Sequence, residues 1–182
     1  ALPTSVLHAL LARVDALGPE SETLKYASII GAAFDIDCLQ ALTGETASEL
    51  EKKLEKLRDA RMVRKLGGYP LNSYSFAHSF LHKAVYDSIS ATARLESHYC
   101  LAEHIAKNRA RVEDEFLAFH FEGAERYLEA ARCWFNAARR STGNSLYSLA
   151  QQQYLKALEA VSRAELDETR DELEVQIRIA YG

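Results

Sequence analysis

A mainly helical fold is predicted by three observations. Eight glycines and three prolines make up 11 of the 182 residues, roughly half the usual share of about 12%. The last proline is Pro70, so the 112 residues from 71 to 182 contain no strong helix breaker. Apolar side chains recur at three-and-four spacing through most of the chain, the period of a helix with one buried face.

The elements follow in order. Leu2-Pro3-Thr4-Ser5 opens a first helix through Val6, Leu7, Leu10, Leu11, Val14 and Leu17, and Gly18-Pro19 stops it. Ser21 is the expected cap of the next helix, which carries Leu24, Ala27 and Ile30 on one face and ends at Gly31. Phe34-Asp35-Ile36 leads into a short helix with Leu39, Ala41 and Leu42 before Gly44. Thr46 and Glu49 have the spacing of a capping box, so a helix starts there with Leu50, Leu54 and Leu57 inward and Lys52, Lys53 and Lys56 outward. The period then changes: Met62 to Leu66 and Tyr74 to Phe76, separated by Gly67-Gly68-Tyr69-Pro70-Leu71-Asn72, read as a β-hairpin. Three helices followed by a hairpin is the order of a winged helix. Two more helices follow, from His78 to Ser90 and from Ala93 to Asn108.

From about residue 113 the pattern is helical hairpins: Glu115 to Gly123, Glu125 to Ser141, Ser145 to Ser162 and Glu168 to Tyr181. Trp134, Ala138, Ala150, Tyr154 and Ala157 fit the tetratricopeptide pattern with spacings of 4, 12, 4 and 3. Ser141 and Ser162 stand where an aromatic and a proline are usual. The expected fold is therefore mainly α: a winged-helix domain with a small β-hairpin wing, followed by a tetratricopeptide-like helical repeat region.

Charge and cysteine usage narrow the function classes. The net charge is −4, with 10 basic and 11 acidic side chains in residues 1–92 and 12 and 15 in residues 93–182, which argues against a dedicated polyanion binder. Cys38, Cys100 and Cys133 are odd in number and far apart, so they are expected as buried free thiols in a reducing cytoplasm. No apolar run approaches the roughly 18 residues of a membrane span, and no signal-peptide pattern opens the chain. A soluble cytoplasmic protein without a membrane partner is expected. The start at Ala1 without methionine, and the apolar Leu173, Val175, Ile177, Ile179 and Tyr181 before Gly182, read as the cut ends of a piece of a larger protein.

Several of these motifs together resemble a known family. Leu2-Pro3-Thr4-Ser5 through Leu17-Gly18-Pro19, then Ile30-Gly31-x-x-Phe34, then Tyr74-x-Phe76-x-His78-x-x-Leu81-x-x-Ala84-x-Tyr86-x-x-Ile89, look like the segment downstream of the ATPase module in bacterial STAND-type (signal transduction) P-loop ATPases. Leu117-Ala118-x-His120-Phe121-x-x-Ala124 resembles the helix that opens the repeat region there. That family includes large transcription activators and adenylyl cyclase-like signalling proteins. The resemblance implies a connecting helix over residues 1–20 from an upstream ATPase, a winged helix over 21–92 and helical repeats over 93–182. It further implies ATP or ADP with magnesium in the parent, no cofactor in this segment, a protein or small-molecule signal on the repeats, and self-association of the open form. In related nucleotide-switch ATPases a histidine at the end of the wing contacts the β-phosphate of ADP, and His78 is the matching position. The immune-receptor form of that motif is Met-His-Asp, whereas this chain reads Ala77-His78-Ser79, so the aspartate's role does not carry over.

No catalytic or metal motif accompanies these features. The chain has neither Gly-x4-Gly-Lys-Ser/Thr nor Gly-x-Gly-x-x-Gly, and hence no phosphate cradle of its own. His78 and His82 are four apart but lack the glutamate of a zinc protease motif, and His98, Cys100 and His104 read as packing residues. Lys52, Lys53, Lys56 and Arg61 form a basic surface. Interleaved acids, Glu49 with Lys53 for example, give it the character of a solvated face, and the start of that helix is poor in base-reading side chains. DNA contact through this segment is not expected. The rival reading is a DNA-binding winged-helix regulator with a helical effector or dimerisation domain.

Overall fold

The computed structural model describes residues 4–67, 72–108 and 113–182, with side chains from residue 10 onward. The expected Leu2-Pro3 start and the Gly68 to Leu71 part of the hairpin turn lie outside the described residues. Among the described residues the chain is mainly helical, with ten helices and one small antiparallel sheet of three strands. It divides into two compact units, Ala1–Leu101 and Ala102–Gly182. The division falls within the 17-residue helix Ala91–Lys107, whereas the sequence pattern suggests a boundary at 92/93.

The first unit begins with α1 (Thr4–Asp15) and α2 (Glu20–Ile30). Ser21 is not the cap of α2. That helix starts one residue earlier, and the Ser21 hydroxyl instead donates to the Gly18 carbonyl at 2.7 Å. Strand β1 (Ala33–Asp35) and helix α3 (Ile36–Thr43) follow, with the Asp35 carboxylate accepting from the Cys38 N–H at 2.7 Å as the cap of α3. Gly44, at φ 71°, then takes the left-handed conformation that closes α3. Next come α4 (Ala47–Asp59), opened by the expected Thr46/Glu49 capping box, β2 (Val63–Lys65), β3 (Ser73–Phe76), α5 (Ser79–Ser88) and α6 (Ala91–Lys107). Leu24, Leu39, Leu50, Leu54, Leu57 and Val85 are fully buried and form the core under α2. Helix α1 packs on α5, and Arg13 reaches the Ala60 carbonyl, so residues 4–15 belong to this unit.

The sheet has the order β1-β3-β2, antiparallel throughout. Phe34 pairs with Tyr74 across β1 and β3, and Val63 with Phe76 across β2 and β3. The hairpin is therefore present, but sequence reading missed the third strand. Three residues are too few to display an alternating pattern. What holds β1 is tertiary: the Phe34 ring stacks on Tyr74 at 6.0 Å and meets Phe76 edge-on at 5.8 Å.

The second unit contains α7 (Asp114–Gly123), α8 (Tyr127–Gly143), α9 (Tyr147–Arg163) and α10 (Glu168–Tyr181). Trp134, Ala138, Ala150, Tyr154 and Ala157 are all buried where α8 meets α9. A shorter period than the tetratricopeptide frame is also visible. Tyr127-x2-Ala130-x3-Trp134-x2-Ala137 recurs 20 residues later as Tyr147-x2-Ala150-x3-Tyr154-x2-Ala157. The turns repeat with it: Glu125 at φ 57° and Ser145 at φ 61° occupy the same left-handed corner, and Arg126 N–H to Phe121 O matches Leu146 N–H to Ser141 O. Small residues at equivalent positions let successive helices approach closely, and Ser141 is buried at the position equivalent to Val161 and Phe121.

Polar bonds lock the helices in register. Trp134 Nε1 donates to Glu122 at 2.7 Å, Arg140 holds Asp114 at 2.6 Å and Glu115 at 2.9 Å, and Gln153 donates to Glu115 at 2.7 Å. Leu173 and Ile177 bury the inner face of α10, and Asp167 caps its start. Ala138 has no exposed surface, so Ala138→Leu is expected to overpack this crossing and destabilise by about 1–3 kcal/mol. Exposed Gln152→Ala should be nearly silent, and urea midpoints of the two variants check both expectations.

Candidate functional site

His78 sits where the sheet hands the chain to α5. The Ala77 N–H donates to the Met62 carbonyl at 2.8 Å, which carries the β2/β3 pairing one step beyond the strands. His78 follows in extended conformation, φ −144° and ψ 137°, as the residue before the first turn of α5. Its carbonyl accepts from Leu81 and His82, while its side chain is exposed and makes no capping bond. With the Leu81 and His82 amides taken by that carbonyl, the Ser79 and Phe80 N–H groups are the first-turn donors this end of α5 offers beside the exposed imidazole. Arg61 precedes Met62 just as His78 follows Ala77, so the Met62–Ala77 bond brings these two predicted residues to the same end of the sheet. Arg61 is exposed and, at φ 59°, forms the left-handed exit of α4.

His82 has a separate task. Its Nε2 donates to the Ser28 carbonyl at 3.0 Å, and its ring packs edge-on to Phe76 at 5.1 Å, so it ties α5 to α2. Among the described residues no group of three or more His, Cys, Asp or Glu side chains is placed to hold a metal ion.

No family model, curated protein or solved structure matches this chain.

The basic surface of α4 is partly neutralised. Lys53 pairs with Glu45 at 2.6 Å, Lys56 with Glu20 at 2.5 Å, and Arg58 with Glu55 at 3.7 Å. The expected Glu49–Lys53 pair does not form because Glu49 is engaged in the capping box. Its carboxylate accepts from the Thr46 N–H at 2.9 Å and from the Thr46 hydroxyl at 2.6 Å, and those bonds hold its pKa below the usual range. The hydrogen bond from Lys56 likewise lowers the pKa of the nearly buried Glu20. Lys52 has no ion pair among the described residues. With two of the four predicted cations already bound to acids, random duplex DNA at about 150 mM salt should bind no tighter than the 10⁻⁴ to 10⁻⁶ M of generic contact. Fluorescence anisotropy measures this, and a nanomolar sequence-selective complex weakened by Lys52→Glu would contradict it.

The three residues grouped on α6 separate in the structure. His98 is fully buried, with Nε2 3.0 Å from the Tyr86 hydroxyl, whereas Cys100 and His104 are exposed. Of the three cysteines expected to be buried only Cys133 is; Cys100 is exposed because its helix turns that position outward, although its flanking residues are apolar enough to read as core. Cys133 is buried, and Cys38 is half-buried with its thiol pushed up by burial and then by Asp35, so neither is poised as a nucleophile.

Burial, with the Arg94 charge adding to it, holds the His98 pKa down at about 4, against an ordinary 6.5. The unfolded chain therefore takes up a proton first as pH falls below about 6.5, and stability is lost progressively down to about pH 4. Between pH 7 and pH 5 the protein is expected to lose about 2 kcal/mol more than a His98→Gln variant does, read as the shift in urea-unfolding free energy.

Proposed function

We propose that the chain is a non-catalytic regulatory and interaction module of a larger cytoplasmic signalling ATPase. In this reading residues 21–92 form a winged helix that closes over a nucleotide held by an upstream P-loop domain. The α7–α10 array is a tetratricopeptide-like region that receives a protein or small-molecule signal. The element order α2-β1-α3-α4-β2-β3, with β1 returning to pair with β3, supports the winged-helix half. The buried Trp134, Ala138, Ala150, Tyr154 and Ala157 support the repeat half.

The observation that carries the nucleotide role is the unused imidazole of His78, beside Arg61 and the opening amides of α5 at one end of the sheet. The Arg61 guanidinium, an imidazole and the opening N–H groups of α5 suit the β-phosphate of ADP, with magnesium and the phosphate loop supplied by the upstream domain. Such an arrangement stabilises one conformational state only, because the contact exists only when the two domains close. The DNA-binding alternative draws less support, since Lys53 and Lys56 are committed to Glu45 and Glu20.

Without a phosphate loop the isolated chain is expected to bind ADP no tighter than millimolar, about 4 kcal/mol by calorimetry. In the parent protein, His78→Ala should speed ADP release and shift the resting population toward the open, self-associating form, leaving the thermal midpoint of this segment unchanged. An unchanged ADP off-rate and unchanged assembly in that variant would refute the latch.

A further inference from the structure

The groove between α8 and α10 has a volume of about 310 Å³ and is walled by Arg132, Asn136 and Arg139 from α8 and by Glu172 and Gln176 from α10, over a floor that includes Phe135. Its two arginines differ from the other described arginines of the helical unit. Arg126, Arg140, Arg163, Arg170 and Arg178 each hold a carboxylate or hydroxyl within the unit. Arg132 and Arg139 form no ion pair or hydrogen bond among the described residues. Arg139 does lie 5.8 Å from the centroid of the Phe135 ring, a stacking contact that leaves the N–H edge of the guanidinium open to an acceptor.

In a chain of net charge −4, two uncommitted guanidiniums against the single carboxylate of Glu172 leave this groove locally positive. Their geometry sets what it can hold. They are seven residues apart on one face of α8, about 10 Å along the axis at 1.5 Å per residue. In an extended polyproline-type peptide, side chains three residues apart return to the same face after about 9 Å. Two carboxylates at that spacing can each meet one guanidinium in a bidentate pair. The amides of Asn136 and Gln176, on opposite walls, can both donate to and accept from a peptide backbone between them, and Glu172 can accept a backbone N–H. Phe135 offers apolar surface to an intervening residue.

We propose that the α8/α10 groove binds an extended acidic peptide with carboxylates three residues apart. This names the partner chemistry for the helical half of the functional reading and rests on it only to that extent, because peptide binding and the ADP test of His78 can fail independently. The probe is a fluorescein-labelled (Glu-Pro-Leu)3 peptide titrated with the 182-residue chain at low salt.

Saturable binding is expected, with Arg132→Ala and Arg139→Ala each weakening it about tenfold. Asn136→Ala should weaken it a few-fold, and Arg178→Ala, which removes a cation already paired with Glu174, should leave it unchanged. Among the described residues Arg132 makes no bond within the unit and Arg139 only its contact with the Phe135 ring, so their variants should keep a thermal midpoint close to wild type. Succinate, a free dicarboxylate, should compete only weakly, which separates peptide recognition from simple anion binding. No saturable binding, equal binding of (Lys-Pro-Leu)3, or unchanged affinity in an Arg132→Glu/Arg139→Glu variant of normal stability would each overturn the proposal.

Discussion

Strand β3, hydrogen-bonded along both edges, is the constraint on which the N-terminal unit depends. β1 pairs with it on one side and β2 on the other, so a strand of four residues joins α2, α3 and α4 to α5. Aromatic rings reinforce the same line. Phe34 lies against Tyr74 and Phe76, Phe76 against His82, and His82 6.3 Å from Tyr86, which in turn meets His98. This column carries the sheet into the helices that follow it. Its consequence for function is positional: the pairing runs one step past β3, and the next residue is His78 at the mouth of α5.

The C-terminal unit depends on a different device. Alanines at matched positions let backbones approach, and a corner with one left-handed residue, Glu125 or Ser145, sets each new helix antiparallel to the last. A short helical turn can then be repeated without a long connection. Charged groups do the indexing: Glu115 receives both Arg140 from α8 and Gln153 from α9, so one carboxylate in the first turn of α7 ties three helices. The interior of that array is thus packed and bonded, and a groove between α8 and α10 stays open at its surface.

Electrostatics separates the two halves of the surface. On α4, cations that look available in the sequence are matched by Glu20 and Glu45, residues distant along the chain and close in space. On α8, Arg132 and Arg139 sit in an equally ordinary amphipathic pattern and find no such match among the described residues. Charge balance along a segment did not distinguish these cases, because the partner of a surface cation is chosen by the fold and not by its neighbours in sequence.

The sequence by itself determined the helical class, the succession of helices, the Thr46/Glu49 capping box and the Gly31 and Gly44 stops. These rest on backbone preferences and on apolar periodicity, which act within a few residues. It also marked the hairpin and placed His78 at the start of α5. Only the tertiary structure decided that Phe34 belongs to a strand, that Glu49 serves Thr46 rather than Lys53, that Cys100 faces outward, and that Arg61 and His78 share one end of the sheet. The 20-residue recurrence lay in the sequence as Tyr-x2-Ala-x3-aromatic-x2-Ala, but only the two matched turns gave it meaning. In each of these cases the deciding partner comes from another element, and local chain chemistry carries no information about which elements will meet.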